Sequence, residues 1–213
     1  MILYGASGHA KVIIDTLEAV GKKIDWIVDD NEALNELLGY EVRRDTGSYD
    51  SAIVTIGNCR IRREKVESMD VKKWETAIHP SAVVSPRAEY GEGTVMMAGA
   101  LVNSCAKIGR HCIINTGASV GHDVTLGDFV HIAPHATITG SVVIGDCTWI
   151  GAGTVVKQGI KIGANCMIGA GSVVVKDIPD GVVAFGNPCK VIKENSDTYM
   201  NNKELNKMSG GDN

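Results

Sequence analysis

The 213-residue sequence lacks two patterns that would assign it to a particular class of protein. It has no run of roughly 18 consecutive apolar residues, the length that a membrane-spanning helix needs, so we expect no membrane span. It also has no excess of basic residues. Its 21 Lys and Arg against 25 Asp and Glu give a net charge of −4, which argues against a nucleic-acid-binding surface.

The six cysteines include no C-x-x-C pair, a spacing typical of metal and redox sites. They fall within apolar or small-residue patterns, so we interpret them as reduced thiols that fill space in a cytoplasmic protein. The chain begins directly with a strand-like segment at residues 1–4, and we therefore expect no signal peptide.

The dominant feature that is present is a six-residue repeat. From Ile78, every sixth residue up to Val174 is apolar, which makes seventeen consecutive hexads without a slip. The residue four positions further on in each hexad, from Ala82 to Ile178, is always small or β-branched. Glycine follows the apolar residue at positions 109, 121, 127, 145, 151, 163 and 169.

A period of six fits neither an α-helix nor the two-residue alternation of a flat sheet. It predicts a short strand and a corner in each hexad, with three hexads closing a triangular coil of eighteen residues. The seventeen hexads then make between five and six stacked coils, and we interpret the repeated glycines as tight turns. A β-sandwich with coincidental hexads is the alternative fold.

The first part of the chain has another organisation. Apolar runs at 2–4, 24–28 and 51–57 are interpreted as strands. A helix is expected from the turn at 5–11 to about residue 20, and a second, basic helix at 59–69. Strands and helices that alternate at this spacing predict a parallel sheet with crossover connections. The predicted fold class is therefore a small Rossmann-like α/β domain followed by a parallel β-helix.

The glycine-rich turn GASGHA at 5–10 joins the first strand to the first helix. Its backbone N–H groups lie at the positive end of the helix dipole, which favours a phosphate. The turn is not a G-x-G-x-x-G motif, and the domain has room for one mononucleotide half, so we expect a nucleotide-linked ligand and not NAD. The residues predicted to bind this ligand are Ser7, Gly8, His9, Asp29, Asp30 and Gly57.

Several motifs resemble one family of enzymes. IGAGTV at 150–155 and IGAGSV at 168–173 resemble the hexapeptide repeats of left-handed β-helix acyltransferases. FGNPCK at 185–190 resembles their closing G-x-P-A-K signature, with Cys189 in place of alanine. Nearer the start of the chain, five further motifs occur in order, namely YGASGH at 4–9, Asp29 and Asp30, IGNCRIRR at 56–63, IHPSAVVSP at 78–86 and NTGASVGHD at 115–123. Together they resemble nucleotide-sugar N-acetyltransferases that modify a 4-amino-dideoxy sugar, as in the bacillosamine pathway, a family that also includes sialic acid O-acetyltransferases.

This resemblance implies a left-handed β-helix, acetyl-CoA as the co-substrate without a metal, and a homotrimer whose acyl-CoA sites lie between neighbouring subunits. It implies that His122 is the general base, that Asp123 orients it, and that Asn115 lines the same site. The cofactor contacts that it implies are His131, Gly140, Ala152 and Ala170. One departure is Gly121, which precedes the base where family members can carry an acid.

The eighteen-residue period of the coil predicts how these residues lie relative to one another. Gly140 follows His122 by eighteen residues, so the two should stack on adjacent coils about 4.8 Å apart. Ala152 and Ala170 have the same spacing and form a ledge for a pantetheine arm. His131 is half a coil from His122, so the two face different sides of the prism and share a site only if adjacent subunits supply one each.

The other basic residues receive plainer interpretations. His79 is expected at the boundary between the domains, and His111 and His135 at solvated outward or corner positions. A solvated helix face is expected for Arg60, Arg62 and Arg63. The predicted domains are 1–76 for nucleotide-sugar binding and 77–193 for the β-helix, followed by a flexible tail at 194–213.

These observations predict an acetyl-CoA-dependent N-acetyltransferase that acts on the 4-amino group of a nucleotide-linked sugar, with UDP as the expected nucleotide. O-Acetylation of a sialic acid or another sugar hydroxyl is the alternative reaction. A non-catalytic trimeric scaffold that binds nucleotide sugars is the alternative of another class. A γ-type carbonic anhydrase, which holds zinc with three histidines, is disfavoured because no two histidines are five residues apart.

Overall fold

The computed structural model describes residues 1–44 and 47–196. Of the predicted flexible tail, residues 194–196 lie within the described part and the remainder lies outside it. Glu194 ends the last strand, and the side chain of Asn195 donates a hydrogen bond to the Asn165 carbonyl at 2.9 Å, so this short stretch packs against the β-helix.

The first part of the chain forms a five-stranded sheet and two helices. Its elements are β1 (Ile2–Tyr4), α1 (Gly8–Ala19), β2 (Trp26–Val28), β3 (Glu36–Leu37), β4 (Tyr40–Arg43), β5 (Ser48–Tyr49), β6 (Ala52–Val54), α2 (Cys59–Ser68) and β7 (Asp70–Val71). The sheet order is β3-β4-β2-β1-β6, in which only β3 is antiparallel to its neighbour, and β5 pairs separately with β7. The three predicted strands and both predicted helices are confirmed, whereas the β3–β4 hairpin lacks the apolar run that would have predicted it.

The sheet packs against the β-helix mainly through α1. The apolar face of this helix buries its side chains between β1 and the first coils. The shared cluster contains Leu3, Ile13, Ile14, Leu17, Ala77, Val95 and Ile113. This packing directs the glycine-rich turn before α1 toward the middle coils of the β-helix, where His9 meets His131.

From Ala77 onward, two-residue strands form the three faces of a prism. Face 1 contains β8 (Ala77–Ile78), β11 (Val95–Met96), β14 (Ile113–Ile114), β17 (His131–Ile132), β20 (Trp149–Ile150) and β23 (Met167–Ile168), extended by β25 (Val182–Phe185) and β26 (Lys190–Glu194). Face 2 contains β9 (Val83–Val84), β12 (Leu101–Val102), β15 (Ser119–Val120), β18 (Thr137–Ile138), β21 (Val155–Val156) and β24 (Val173–Val174). Face 3 contains β10 (Glu89–Tyr90), β13 (Lys107–Ile108), β16 (Thr125–Leu126), β19 (Val143–Ile144) and β22 (Lys161–Ile162).

Of the strands β8 to β24, faces 1 and 2 contain six each and face 3 contains five. The prediction of between five and six coils is therefore confirmed. The second residue of each strand is the apolar residue of its hexad, and from Met96 to Val174 all of these side chains are buried. Of the three earlier residues, Ile78 and Val84 are half-buried, and Tyr90 is 42% exposed because its strand lies at the edge of face 3 and pairs with β13 alone.

The corners of the prism turn through residues with a left-handed backbone. Between positions 93 and 171 every sixth residue has a positive φ, and eight of these fourteen residues, including Asp123, are not glycine. The repeated glycines after the apolar residues do not have this conformation. A Cβ added to Gly121 would lie 2.8 Å from the backbone nitrogen of Gly140 on the next coil. Their interpretation as tight turns is therefore wrong, because these glycines let adjacent coils approach closely.

A column of carbonyl groups runs along the corner between faces 3 and 1. These carbonyls, which we name the corner ladder, belong to the left-handed residues His111, Phe129, Cys147 and Asn165, each eighteen residues apart. Arg62 of α2 donates to the first two, at 3.0 and 2.7 Å, and the Cys59 thiol donates to the third at 3.1 Å. Helix α2 is thus fastened to the backbone of three successive coils.

Arg62 is also bonded within its own domain. One terminal nitrogen donates to the carbonyls of Ile56 and Gly57, both at 2.7 Å, and the residue is only 1% exposed. The interpretation of Arg62 as part of a solvated helix face is therefore wrong. Its planar fork of donors matches carbonyls on two stacked coils and a turn, an arrangement that a lysine ammonium could not reproduce.

The prediction for His111 is also wrong, since it is 1% exposed. Its ring stacks on Phe129 with centroids 5.2 Å apart and meets the edge of Trp74 at 5.0 Å. Burial first, and then the charge of Arg110, lower the pKa of His111 to about 4, so this histidine is neutral at pH 7. His135 is exposed, as predicted, and His79 is half-buried and bonded to Ser81 at 2.8 Å.

Replacement of Arg62 with Met should lower the free energy of unfolding by about 3 kcal/mol or more, because it leaves two buried and two part-buried carbonyls without their donor. Urea unfolding at one fixed protein concentration measures this change. Arg63→Met on the same helix is the matched control. Arg63 is a third exposed and forms a 3.4 Å ion pair with Asp146, so its loss should cost about 1 kcal/mol or less. Equal losses in both variants would contradict the role assigned to Arg62.

Candidate active site

His122 and Asp123 form an exposed pair at a corner of the prism. They follow β15, where the chain passes from face 2 to face 3, and the left-handed backbone of Asp123 turns its side chain toward the histidine. The Nδ1 atom of His122 lies 2.7 Å from a carboxylate oxygen of Asp123, and the two side chains are 58% and 60% exposed. The carboxylate favours the tautomer in which Nδ1 carries the proton, so Nε2 keeps its lone pair.

Gly140 lies against the other edge of the His122 ring. A Cβ added to Gly140 would be 2.5 Å from both Cε1 and Nε2 of His122, so the ring could not keep this position beside a larger residue. The eighteen-residue spacing therefore stacks the two residues as the coil geometry predicts. The backbone of Gly140 therefore lies beside the Nε2 edge of the His122 ring.

A second cluster surrounds His131 on face 1. The Asn115 amide nitrogen lies 3.1 Å from Nε2 of His131, and the Trp149 ring packs on it with centroids 4.3 Å apart. His9 reaches the same ring from the first domain at 5.8 Å, and a Cβ on Gly57 would lie 4.0 Å from its Cε1 atom. His131 is only 4% exposed in the single chain.

Both histidines of this second cluster are neutral at pH 7. Burial first, and then the charge of Arg62, lower the pKa of His131 to about 3 and that of His9 to about 4. The Nε2 atom of His9 is buried and makes no hydrogen bond within the described residues. It can therefore serve a ligand as a neutral hydrogen-bonding group and not as a cation.

The two clusters are separate within one chain. Asn115 follows β14 at the corner between faces 1 and 2, whereas His122 lies at the corner between faces 2 and 3. The chain brings Asn115 together with His131, His9 and Gly57, and His122 together with Asp123 and Gly140. A site that uses Asn115 and His122 together needs residues from two chains.

The predicted ligand-binding residues of the first domain surround the ends of its strands. Ser7 occupies the N-cap position of α1 without a side-chain capping bond, and space is open around the α-carbon of Gly8. The Asp29 carboxylate accepts backbone hydrogen bonds from Ala6 and Asn31 at 2.6 and 2.8 Å. Its structural contacts therefore shape the glycine-rich turn itself.

Asp30 is part of a bonded triad. Tyr4 donates to one carboxylate oxygen at 2.6 Å, while Lys65 contacts the other at 2.7 Å and the Tyr4 hydroxyl at 2.6 Å. Burial first, and then the hydrogen bond to Asp30, raise the pKa of Tyr4 to about 12, so its hydroxyl remains a donor. The triad ties α2 to the ends of β1 and β2.

Ala152 and Ala170 line a mainly apolar groove along the corner between faces 1 and 2. The groove is also lined by Ala133, Pro134, Trp149, Gly151, Met167, Ile168 and Gly169. Trp149 is paired with His131 in adjacent strands, so the groove adjoins the second cluster. Sequence reasoning missed Trp149, although its position eighteen residues after His131 was a signal that could have found it.

Across residues 1–44 and 47–196, no three His, Cys, Asp or Glu side chains are grouped so that they could hold a metal ion. In the same part of the chain, no helix is long and apolar enough to cross a membrane.

Comparison with known proteins identifies the family. Residues 1–69 match the family model described as the PglD N-terminal domain, and residues 105–140 and 141–176 match the bacterial transferase hexapeptide model of six repeats. A perosamine N-acetyltransferase from Caulobacter crescentus, solved as a histidine-to-asparagine variant with CoA and GDP-perosamine, is 38% identical. The alignment covers 91% of this chain and 96% of that one, with a TM-score of 0.84. The chain belongs to the hexapeptide-repeat nucleotide-sugar acetyltransferase family.

Other members have the same architecture. The acetyltransferase domain of PglB from Neisseria gonorrhoeae FA1090 is 36% identical over 90% of this chain and 98% of that one, with a TM-score of 0.82. WeeI from Acinetobacter baumannii AYE is 27% identical over 90% and 98%, with a TM-score of 0.81. No curated protein sequence matched the chain. This acyltransferase therefore has the predicted fold, an α/β domain followed by a left-handed parallel β-helix.

Proposed function

We propose that this enzyme transfers the acetyl group of acetyl-CoA to the 4-amino group of a nucleotide-linked amino-dideoxy sugar, with His122 as the general base. The observation that carries the proposal is the exposed His122–Asp123 pair, whose Nε2 edge faces the backbone of Gly140. Support comes from the 38% identical perosamine N-acetyltransferase that was crystallised with CoA and GDP-perosamine. A PglB acetyltransferase domain was likewise solved with acetyl coenzyme A.

In this mechanism, His122 and Gly140 act on the two reacting groups. Nε2 of His122 removes the proton from the sugar amine as its nitrogen attacks the thioester carbonyl. The Asp123 carboxylate stabilises the imidazolium that forms, and the Gly140 N–H donates to the developing oxyanion. When the intermediate collapses, the proton on His122 passes to the departing thiolate. The base thereby returns to its neutral form.

The acceptor's nucleotide is assigned to the first domain. The open space at Gly8 and the N-terminus of α1 suit a diphosphate, and both the His9 ring, with its unpartnered Nε2, and Gly57 lie beside the His131 ring. We assign Ser7, Asp29 and Asp30 to the remaining contacts, Asp29 through the turn that it shapes. By this proposal residues 1–76 bind the nucleotide sugar and residues 77–193 carry out acyl transfer. A cytoplasmic location stays a prediction.

The cofactor is assigned to the apolar groove. Ala152 and Ala170 present small side chains one coil apart, so a pantetheine arm can lie along them with Trp149 and Met167 as apolar walls. His131 lies at the end of this groove, held by Asn115. In this assignment His131 and Asn115 orient the acceptor and the thioester, and neither moves a proton.

A trimer completes this site. The outward residues of face 2 are all uncharged, namely Val83, Leu101, Ser119, Thr137, Val155 and Val173, whereas face 3 presents Glu89, Lys107 and Lys161. Val83 is 63% exposed in the single chain. We infer that face 2 packs against copies of itself around a threefold axis, which sets the Ala152 edge of one chain beside the His122 edge of the next.

A thiol-release assay with acetyl-CoA tests the reaction. UDP-, GDP- and dTDP-linked 4-amino sugars are compared with a free sialic acid and a free amino sugar. Turnover should require a nucleotide-linked amine, and the preferred nucleotide then decides between the predicted UDP and the GDP of the perosamine relative. Turnover with a free hydroxyl alone would support O-acetylation instead. Tight nucleotide-sugar binding without release of CoA would support the scaffold.

Replacement of His122 with Ala should lower kcat by about 10²–10⁴, because general-base catalysis contributes about that factor, with little change in acetyl-CoA binding. Steady-state kinetics and calorimetric titration of acetyl-CoA measure the two effects. Glu89→Ala is the control, since Glu89 is exposed on face 3, away from both parts of the proposed site, and should retain near-normal kcat. Asp123→Ala should cost less than His122→Ala. A near-normal kcat for His122→Ala would remove the proposed mechanism.

Mixed trimers test the shared site. His122→Ala chains and Ala152→Glu chains, which block the groove, should each be inactive as pure trimers. After mixing in equal amounts and subunit exchange, random assembly should restore about a quarter of wild-type activity, because an intact His122 then meets an intact groove across the interface. Exchange is checked by native mass spectrometry of tagged chains. Exchanged trimers that stay inactive would place both parts of the site in one chain.

A further inference from the structure

Cys59 and Cys147 form a thiol pair between the two parts of the chain. Cys59 is the first residue of α2, and Cys147 occupies the corner before β20. The Cys59 thiol donates to the Cys147 carbonyl at 3.1 Å, although the residues are 88 positions apart. Both residues also line the same cavity. All six cysteines lie in the described residues, and no other pair links the first domain to the β-helix in this way.

The surroundings of Cys59 favour its thiolate. The hydrogen bond from the Cys147 thiol, and then the charges of Arg62 and Arg63, lower the pKa of Cys59 to about 7 against the opposing effect of burial. The hydrogen bond with Cys59, followed by burial, raises the pKa of Cys147. Cys59 is therefore the more acidic thiol of the pair.

The pair is accessible to small molecules. Both cysteines line a cavity of about 200 Å³ between α2 and the β-helix, together with Asn58, Trp149 and Met167. Cys59 is half-buried and Cys147 is 6% exposed. A reagent of the size of hydrogen peroxide can enter this cavity, and of the two cysteines Cys59 is the more exposed to it.

We propose that Cys59 is a site of oxidation by hydrogen peroxide and that Cys147 resolves the product into a disulfide between the two domains. The Cys59 thiolate attacks one peroxide oxygen, the O–O bond breaks, and hydroxide leaves, which yields the sulfenic acid of Cys59. The Cys147 sulfur then attacks the Cys59 sulfur and expels the hydroxyl group, which departs as water with the proton from Cys147. Two thiols lose two electrons in total, and one peroxide becomes two waters.

Removal of the Cys59 negative charge in the first step prepares the second. The leading cause that holds Cys147 protonated is its hydrogen bond with Cys59. Once Cys59 is a sulfenic acid, its sulfur no longer carries the negative charge that this hydrogen bond stabilises. Cys147 can then lose its proton as it attacks. The disulfide then joins α2 to the corner ladder, two residues after the Gly57 turn that lies against His131.

Peptide mapping of the full-length protein tests the chemistry. The protein is treated with hydrogen peroxide at pH 7, and the remaining thiols are alkylated. Wild type and the Cys105→Ser control, which lacks an exposed thiol of the β-helix, should both give a Cys59–Cys147 linked peptide about 2 Da lighter than the two free peptides. Cys147→Ser should instead accumulate a dimedone-reactive sulfenic acid on Cys59. Cys59→Ser should give neither product.

Thermal unfolding supplies a second measurement that does not depend on peptide recovery. The oxidised wild type should show a Tm several degrees higher than the reduced protein, with full reversal by dithiothreitol, because the link constrains the unfolded chain. Oxidised Cys147→Ser should show no such rise. The proposal is overturned if no Cys59–Cys147 peptide forms, if Cys59 oxidises no faster than Cys105, or if the linked peptide joins another pair.

Discussion

The architecture depends on one constraint, the hydrogen bonding of each coil to the next at a spacing of eighteen residues. The base that we propose takes part in this hydrogen bonding between coils, since the His122 carbonyl accepts from the Ser141 backbone N–H at 2.9 Å. The same spacing brings Gly140 against the His122 ring and places Ala170 one coil beyond Ala152. Parallel strands about 4.8 Å apart therefore set the distances on which the proposed chemistry relies.

The same constraint positions the first domain. Corner residues with a left-handed backbone direct their carbonyls outward once per coil, and Arg62 spans two of these groups with a single guanidinium. Because Arg62 also holds the Gly57 carbonyl, it connects the turn that we assign to the nucleotide sugar to the coils beside His131. The two parts of the chain are thus aligned through backbone acceptors, which keep their positions whatever side chains the corners carry. This explains how a charged residue can be buried without a carboxylate partner, since four carbonyl dipoles surround it.

The periodic part of the fold was predictable from sequence, and the reason is physical. In a β-helix each residue meets its neighbours at intervals of six and eighteen, so a local pattern determines which side chains point inward. The strand and helix order of the first domain followed from apolar runs in the same way. Errors arose where the environment comes from elsewhere in the chain. Arg62 lies in a polar stretch and His111 follows the basic residue Arg110, and both are buried where α2 packs on the corner between faces 3 and 1.

The sequence by itself determined the coil register, the pairing of neighbouring His122 and Asp123, and the stacking of Gly140 on the histidine. These relations depend on adjacency or on the fixed coil period, and both can be counted along the chain. Only the tertiary structure decided that Asn115 lies with His131 and not with His122, and that Cys59 meets Cys147 across 88 residues. Those contacts depend on how an α/β domain packs on one face of a prism, which follows from the fit of two whole surfaces and not from any local pattern.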